Sequence, residues 1–352
     1  LIVWSFLDPG KNLWLVIAAG LGIAISSATQ DITIDALRIE QIGKNEGRSM
    51  AAGAAISVVG WWTGYKIGGV ISLISAEFFQ RQGVENYWQS SFLLLTLIIF
   101  LCSLGLLFVP EKSSKERVIN QITADQKMIN RLGSDSNLNR MLAWLSGTIV
   151  EPIKSFFKKN STKVALGILG FIFLFKIGEA FLGRMSIVFY NELGFSKTDI
   201  ALYSKGIGWL TTVTFTLLGG LFAIRMGLIK AMFVSGIIMA LTNLMFSILA
   251  WVGNSEVLFA FTVLIDDLAA AFATVAFVGF ISALVDRTYT ATQYALLASI
   301  GTAGRTLFAS SSGSLVDWLN GDWGIFFIIT ALMVIPSLIC LFLIRKKLNL
   351  ND

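Results

Sequence analysis

Two carboxylates stand four residues apart in the first long apolar stretch of the chain. The stretch begins at Leu13 and runs into Ser27-Ala28-Thr29-Gln30-Asp31-Ile32-Thr33-Ile34-Asp35. Residues at positions i and i+4 share one face of a helix, so Asp31 and Asp35 are predicted to point the same way. An ionisable side chain in hydrocarbon is costly unless it faces a partner or water. The spacing therefore indicates a polar pathway through a membrane.

Other interpretations of this acidic pair stay open. One is a helix end at which Asp35 forms an ion pair with Arg38, three residues further on. The depth of Asp31 in the membrane suggests another interpretation. Asp31 lies about 27 Å along the helix from Leu13, which places it near the inner end of that helix. The pair is then a candidate for handling substrate, for carrying protons or for locking an inner gate.

Further charges interrupt later apolar stretches. Lys176 and Glu179 have i,i+3 spacing and can neutralise each other, either as a structural ion pair or as part of a pathway. Asp266 and Asp267 are neighbours that point about 100° apart on a helix. Two close carboxylates repel each other when both are ionised, and one bound proton relieves the repulsion. This arrangement suits a proton carrier.

Two cations within predicted spans are further candidates for the transport pathway. Lys205 and Arg305 lie in stretches that are rich in Ser, Thr and Gly. They are predicted either to contact an anionic substrate or to pair with Asp266, Asp267 or Glu179. The sequence favours neither role.

The composition predicts an integral membrane protein. Hydrophobic residues make up 55% of the 352 residues and charged residues only 14%, whereas soluble domains carry about 25% charge. Ser91–Val109, Ala231–Gly253 and Gly324–Ile344 are uncharged and reach the roughly 20 residues that a spanning helix needs.

The sequence has no histidine, so any coupled proton is expected to use carboxylates. The two cysteines lack metal or disulfide spacing, and no cofactor is predicted.

Nine complete spans are predicted after a short apolar stretch, Leu1–Leu7, which we interpret as the tail of a helix cut from a longer protein. The spans are Lys11–Ile39, Gly47–Ala76, Ser90–Val109, Ser161–Tyr190, Thr198–Met226, Leu228–Trp251, Glu256–Val285, Thr290–Trp318 and Trp323–Ile344.

The connections between these spans alternate in charge. Nineteen lysine and arginine residues fall in connections on one side and three on the other. Because positively charged loops stay in the cytoplasm, residues 110–163 and the C-terminus are predicted to be cytoplasmic. The net charge of +5 follows from this topology and does not indicate a nucleic-acid partner.

The spans indicate three parts. Residues 1–110 form a partial N-terminal helix bundle whose first spans are missing, and residues 111–160 form a cytoplasmic linker. An amphipathic helix is predicted in that linker over Asn137–Lys159. Residues 161–352 form a C-terminal bundle of six helices. The predicted fold class is an all-α membrane protein with the major facilitator fold, in which two pseudo-symmetric 6+6 halves hold the substrate between them.

Four motifs resemble those of one transporter family. The first is the acidic segment Ser27–Ala36, and the second is Gly53–Gly60. The third is Phe175–Phe181, and the fourth combines Ala291–Leu297 with Gly304-Arg305. In this order, along nearly the whole chain, they are similar to the muropeptide permease AmpG and its relatives. These belong to the peptide/acetyl-CoA transporter branch of the major facilitator superfamily.

The resemblance implies a proton-driven importer in the bacterial inner membrane. Its cargo would be GlcNAc-1,6-anhydroMurNAc, with or without peptide, carried into the cytoplasm by alternating access for peptidoglycan recycling. Its partners would be this anhydro-muropeptide, protons and the lipid bilayer, and the protein would be a monomer. Glu179 keeps an acid where the family has one, and Asp266-Asp267 stand where relatives carry a Glu-Asn type pair. The positions that match the family motifs are Gln30, Asp31, Asp35, Lys176, Lys205, Gln293 and Arg305.

One connection departs from the general facilitator pattern. The segment Gly220–Gly227 resembles the facilitator loop motif, but Ile224 replaces the usual Asp of that motif. The charge relay of the motif is therefore weakened in this half of the protein.

Rival functions are a sister permease for acetyl-CoA or a siderophore, and more remotely a membrane sensor that does not transport. The few cations in the spans argue mildly against a cargo rich in phosphate. An enzyme is not expected, because no nucleophile–base arrangement or metal cluster stands out in the sequence.

Overall fold

The computed structural model describes residues 1–8, 10–43, 46–110, 136–196 and 208–348, with isolated positions at 119, 122, 123, 126, 129 and 200. Within these ranges every regular element is a helix. The α-helices are α1 (Ile2–Ser5), α2 (Leu13–Gln41), α3 (Gly47–Arg81), α4 (Tyr87–Leu104), α5 (Asn137–Leu145), α6 (Glu151–Asn160), α7 (Thr162–Leu174), α8 (Ile177–Glu192), α9 (Gly208–Met226), α10 (Leu228–Val252), α11 (Glu256–Leu284), α12 (Thr290–Ala309), α13 (Ser312–Trp318), α14 (Trp323–Leu332) and α15 (Ile335–Ile344).

Most of the predicted spans are confirmed by length and composition. In the described part of the chain, seven helical segments are long and apolar enough to cross a membrane: Leu13–Gln41, Tyr87–Phe108, Thr162–Glu192, Trp209–Met226, Leu228–Val252, Glu256–Leu284 and Trp323–Lys347. The other two predicted spans also fold as helices, as α3 and as α12 with α13, but their sequences are more polar. The chain is an all-α, multi-pass membrane protein, and its 6+6 arrangement stays a prediction.

The chain forms two compact units. The smaller unit comprises Leu1–Arg38 and Gly60–Ser113, and the larger comprises Ile39–Val59 and Ser114–Asp352. The boundaries fall inside α2 and α3, so the end of α2 and the start of α3 belong with the C-terminal helices. The division into residues 1–110, 111–160 and 161–352 stays a prediction.

In the smaller unit, a serine cluster joins α3 to α4. The hydroxyl of Ser91 donates to the carbonyl oxygen of Ser72 at 2.9 Å and lies 2.7 Å from the hydroxyl of Ser75. Ser91 is fully buried, so these bonds satisfy a polar group that would otherwise be costly in an apolar bundle.

In the larger unit, phenylalanine fills two apolar clusters. Phe171, Phe175 and Phe280 lie in one of them and are completely buried. Phe189 and Phe327 lie in the other, with ring centroids 4.8 Å apart in an edge-on arrangement. The two clusters lie on either side of a break in the first helix of this bundle, where α7 ends at Leu174 and α8 begins at Ile177.

Two glycines allow other helices to approach this break. A Cβ atom at Gly178 would lie 2.5 Å from the carbonyl oxygen of Thr330 in α14. A Cβ atom at Gly304 in α12 would collide with the carbonyl oxygen of Phe173, close to the end of α7. Only glycine lets these backbones come so close, and the break is therefore held on both sides.

The amphipathic helix is present as α5 and α6, joined by a π-helical turn over Ser146–Val150. Gln293 in α12 connects it to the bundle, because its amide nitrogen donates to the carbonyl oxygen of Pro152 at 2.9 Å. Its amide oxygen accepts a hydrogen bond from the backbone N–H of Asp286 at 2.7 Å. The hydroxyl of Ser155 donates to the Asp286 carboxylate at 3.1 Å. These contacts fasten α6 to the connection between α11 and α12.

The Asp286 carboxylate is the charged centre of this attachment. Partial burial alone would raise its pKa, but hydrogen bonds from Thr288 and Ser155 and the positive charge of Lys159 outweigh burial, and the pKa lies below its ordinary value. The stabilisation is therefore present above the unfolded-state pKa of about 3.9 and is lost as the pH falls through the lower, folded-state value.

We expect Gly178→Ala to destabilise the protein by about 1–3 kcal/mol, because the added methyl group meets backbone that cannot rotate away. The measurement is the midpoint of thermal unfolding in detergent. Gly183→Ala, in the same helix, is the matched control because its Cβ would meet no atom within 4 Å. An equal midpoint for both variants would contradict the close approach of α8 and α14.

We expect Gln293→Ala to loosen α6, because it leaves a backbone N–H and a carbonyl oxygen unpaired, at a cost of about 1–3 kcal/mol. Hydrogen–deuterium exchange of residues 151–160 should become faster. After correction for the intrinsic effect of pH on amide exchange, protection of these residues in the wild type should also fall once the pH drops below the ordinary carboxylate value of about 3.9, but not between pH 5 and 8. Thr302→Ala, which removes a bond only to Ala298 in the same helix, is the control. Unchanged exchange in Gln293→Ala would rule out the attachment.

Candidate functional site

The candidate site of the larger unit is built on the break between α7 and α8. Lys176 is the N-cap residue immediately before the restarted helix α8, and it is only 9% exposed. Glu179 follows in the first turn of α8, where a negative charge is favoured by the positive end of the helix dipole. The break thus places a cation and an anion one turn apart in an apolar bundle.

Lys176 and Glu179 form an ion pair. The ammonium nitrogen of Lys176 lies 2.9 Å from Oε2 of Glu179 and donates to Oε1 at 3.1 Å. It also donates to the hydroxyl of Thr274 in α11 at 2.8 Å. The side chains of Lys176 and Glu179 are 11% and 17% exposed. The pair is almost buried. Removal of either partner alone would leave an unpaired charge in the apolar bundle, which is energetically unfavourable.

Asp266 in α11 lies in the electrostatic range of this pair. Its Oδ1 accepts a hydrogen bond from the hydroxyl of Thr242 in α10 at 3.1 Å. The charged groups that act on it are Glu179, Asp267 and Lys176. Lys176 therefore pairs with Glu179 and also acts on Asp266, so these three candidates come together in this part of the bundle, with Asp267 next to Asp266 in α11.

Uncharged polar groups extend the site along α10 and α11. Asn243, Ser247 and Thr262 are 1% exposed or less. Within the described residues, both side-chain atoms of Asn243 and the hydroxyls of Ser247 and Thr262 have no hydrogen-bond partner. Unpaired buried polar groups cost about 1–3 kcal/mol each and are places where a water molecule or a ligand is expected. Sequence reasoning missed these residues. Their signal was the i,i+4 spacing of Asn243 and Ser247 in an uncharged stretch and the position of Thr262 four residues before Asp266.

The acidic pair at the start of the chain lies in the smaller unit. The Asp35 carboxylate accepts hydrogen bonds from Nη2 of Arg38 at 2.9 Å and from Nε at 3.2 Å. This is the i,i+3 ion pair that the sequence offered as one interpretation. Asp31 and Gln30, one turn earlier in α2, are exposed. Asp35 is thus neutralised locally, whereas Asp31 is exposed in the described structure.

The remaining candidates take three different positions. Gln293 is buried and uses both ends of its amide in the attachment of α6. Arg305 in α12 is exposed. Lys205 lies outside the described residues. For all ten positions, a role in the substrate or proton pathway stays a prediction.

The site can hold and relay charge. Within the residues that the structure describes, no group of three His, Cys, Asp or Glu side chains is placed to hold a metal ion. What the site contains instead is an ion pair, a hydrogen-bonded carboxylate and hydroxyl or amide groups in an otherwise apolar bundle. This combination has the chemistry to form hydrogen bonds with polar groups and to accept or release protons.

Comparisons with known proteins identify relatives along the whole chain. No family model matches the sequence. The chain is 30% identical over 352 residues to a Rickettsia conorii protein named "Putative transporter AmpG 4", an alignment that covers 99% of the chain and 77% of that protein. It is 28% identical over 345 residues to AmpG 3 of Rickettsia typhi, covering 97% and 75%.

A third relative is named for its cargo. The anhydromuropeptide permease of Escherichia coli K12 is 27% identical over 346 residues, which cover 98% of the chain and 63% of the permease. All three relatives are named as transporters or permeases, none as an enzyme. With the membrane-spanning helices and the internal charged site, the near full-length match to the Rickettsia conorii protein shows that the chain belongs to the AmpG family of transporters.

Proposed function

We propose that this transporter imports anhydro-muropeptides, GlcNAc-1,6-anhydroMurNAc with or without peptide, by alternating access. The observation that carries the proposal is the similarity of 98% of the chain to a protein named anhydromuropeptide permease. A disaccharide with a peptide offers hydroxyl, amide and carboxylate groups. The partly unpaired polar groups of α10 and α11 and the exposed guanidinium of Arg305 have the matching chemistry.

The direction and location of transport form part of this proposal. We place the protein in the bacterial inner membrane with its C-terminus in the cytoplasm, because of the nineteen-to-three distribution of cations between the two sides. Uptake then runs from the periplasm to the cytoplasm. The proposed working form is a monomer.

Protons are the proposed driving ions. Asp266 lies in the electrostatic range of the Glu179, Asp267 and Lys176 side chains. A proton on Asp266 would relieve its repulsion by the two neighbouring carboxylates, and a change in the Lys176–Glu179 contact during transport would alter that repulsion again. Such a coupling needs no other cofactor. Asp31 is the proposed carrier in the smaller unit, because its neighbour Asp35 already pairs with Arg38.

We expect proteoliposomes with the purified protein to take up labelled anhydro-muropeptide when the outside is acidic. Asp266→Asn and Glu179→Gln should lower proton-driven uptake at least tenfold, because each removes a titratable oxygen from the site. A variant that loses only the coupling to protons should still exchange labelled for unlabelled substrate in the absence of a proton gradient. Glu256→Gln, at the exposed start of α11, is the control.

Two outcomes would contradict the proposal in different ways. Uptake of acetyl-CoA in preference to the muropeptide would replace the cargo. Full proton-driven uptake in Asp31→Asn, Glu179→Gln and Asp266→Asn would remove these acids from the coupling mechanism while leaving the cargo intact.

The ion pair gives a separate prediction about stability. Lys176→Ala should destabilise the protein by about 3–5 kcal/mol, since it leaves Glu179 without its counter-charge. The double variant Lys176→Ala/Glu179→Gln should recover much of this loss in thermal unfolding, but it should not recover uptake. A double variant no more stable than Lys176→Ala would show that the two groups are not coupled.

A further inference from the structure

A positively charged cleft lies away from the candidate transport site. It belongs to the larger unit, has a volume of about 190 Å³ and is bounded by the start of α3 and by the connection between α9 and α10. Three basic residues are among those that line it, Arg48, Arg225 and Lys230. All three are exposed, and none forms a salt bridge within the described residues.

The backbone adds to this positive charge. Arg48 lies in the first turn of α3 and Lys230 in the first turn of α10, and neither first turn contains an acidic residue. The start of α10 also lacks a hydrogen bond from a capping side chain. The amino ends of helices carry partial positive charge and prefer anions, so a cation at each of them is unfavourable unless a negative group is nearby.

The lining residues include no acid that could supply this negative group. Ile224 lines the cleft at the position where the facilitator loop motif has its usual Asp. The nearby carboxylate of Glu46 is directed toward Gly43. With Ile224 in place of an acid, the cleft keeps the cations of the loop and loses the carboxylate that would balance them.

We propose that this cleft binds a phosphate group, supplied either by the headgroup of an anionic phospholipid or by a free phosphate compound. Arginine donates paired hydrogen bonds to phosphate oxygens, lysine adds a point charge, and the N–H groups of a helix start complete such sites. The volume corresponds to that of about six water molecules, so a phosphate group fits with part of its hydration.

The location suits both sources. The cleft lies in connections of the cation-rich side, which is predicted to be cytoplasmic, where anionic lipid headgroups attract basic residues. A phosphate group there would bridge Arg48 at the start of α3 to Arg225 and Lys230 around the start of α10. Its occupancy would stabilise the packing of Ile39–Val59 within the larger unit. This inference does not depend on the cargo of the transporter.

The test measures thermal unfolding of the full protein in nanodiscs. One arm uses phosphatidylcholine discs with increasing inorganic phosphate, with sodium chloride at matched ionic strength as reference. The other uses discs with increasing phosphatidylglycerol and no free phosphate. We expect the unfolding midpoint to rise and saturate in at least one arm, and the responding arm identifies the source.

Variants distinguish phosphate binding in the cleft from a general effect of positive surface charge. Arg225→Gln, Arg48→Gln and Lys230→Gln should each raise the apparent dissociation constant about tenfold, the equivalent of one charge-assisted hydrogen bond. Ile224→Asp should abolish the response because it provides an internal carboxylate. Lys347→Gln removes the same charge outside the cleft and should respond like the wild type. No saturable shift in either arm, or equal responses in Arg225→Gln and Lys347→Gln, would overturn the proposal.

Discussion

A charge that is withdrawn from water has to be balanced by groups held in fixed positions, and this requirement governs the described structure. The ammonium group of Lys176 is stable in an apolar bundle only because Glu179 and Thr274 lie within 3.1 Å of it. Those contacts need a helix that stops at Leu174 and restarts at Ile177. The break in turn needs Gly178 and Gly304, because any larger residue would push α14 or α12 away.

Local charge pairing was predictable from the sequence, and pairing between helices was not. The ion pairs Asp35–Arg38 and Lys176–Glu179 each join residues three apart, so helical spacing alone indicates them. Thr274 and Thr242 come from other spans, and their contacts with Lys176 and Asp266 depend on how α10 and α11 pack. The periodic pattern of polar residues specifies which face of a helix is polar. It does not specify which other helix that face packs against.

The same limit applies to the fold. Hydropathy and length were enough to place most span ends within about five residues of the observed ones, because the membrane imposes both. The predicted start of one span at Thr198 lies outside the described residues. The grouping of Ile39–Val59 with the C-terminal helices had no such signal, since it follows from packing between segments far apart in sequence. Gln293 shows the difference in one residue. Its match to a family motif made it a candidate for the transport pathway, and the structure adds that both ends of its amide bond to the backbone of α6 and of the connection before α12.

Uncompensated groups therefore carry the most information about function. Asn243, Ser247 and Thr262 are polar, buried and without hydrogen-bond partners in the described chain, and such groups are expected to bind water or a polar ligand. Fully satisfied groups such as Gln293 resist movement, because every hydrogen bond they make has to be broken first. The larger unit contains both kinds, with unpaired polar groups on α10 and α11 and a fully hydrogen-bonded attachment of α6.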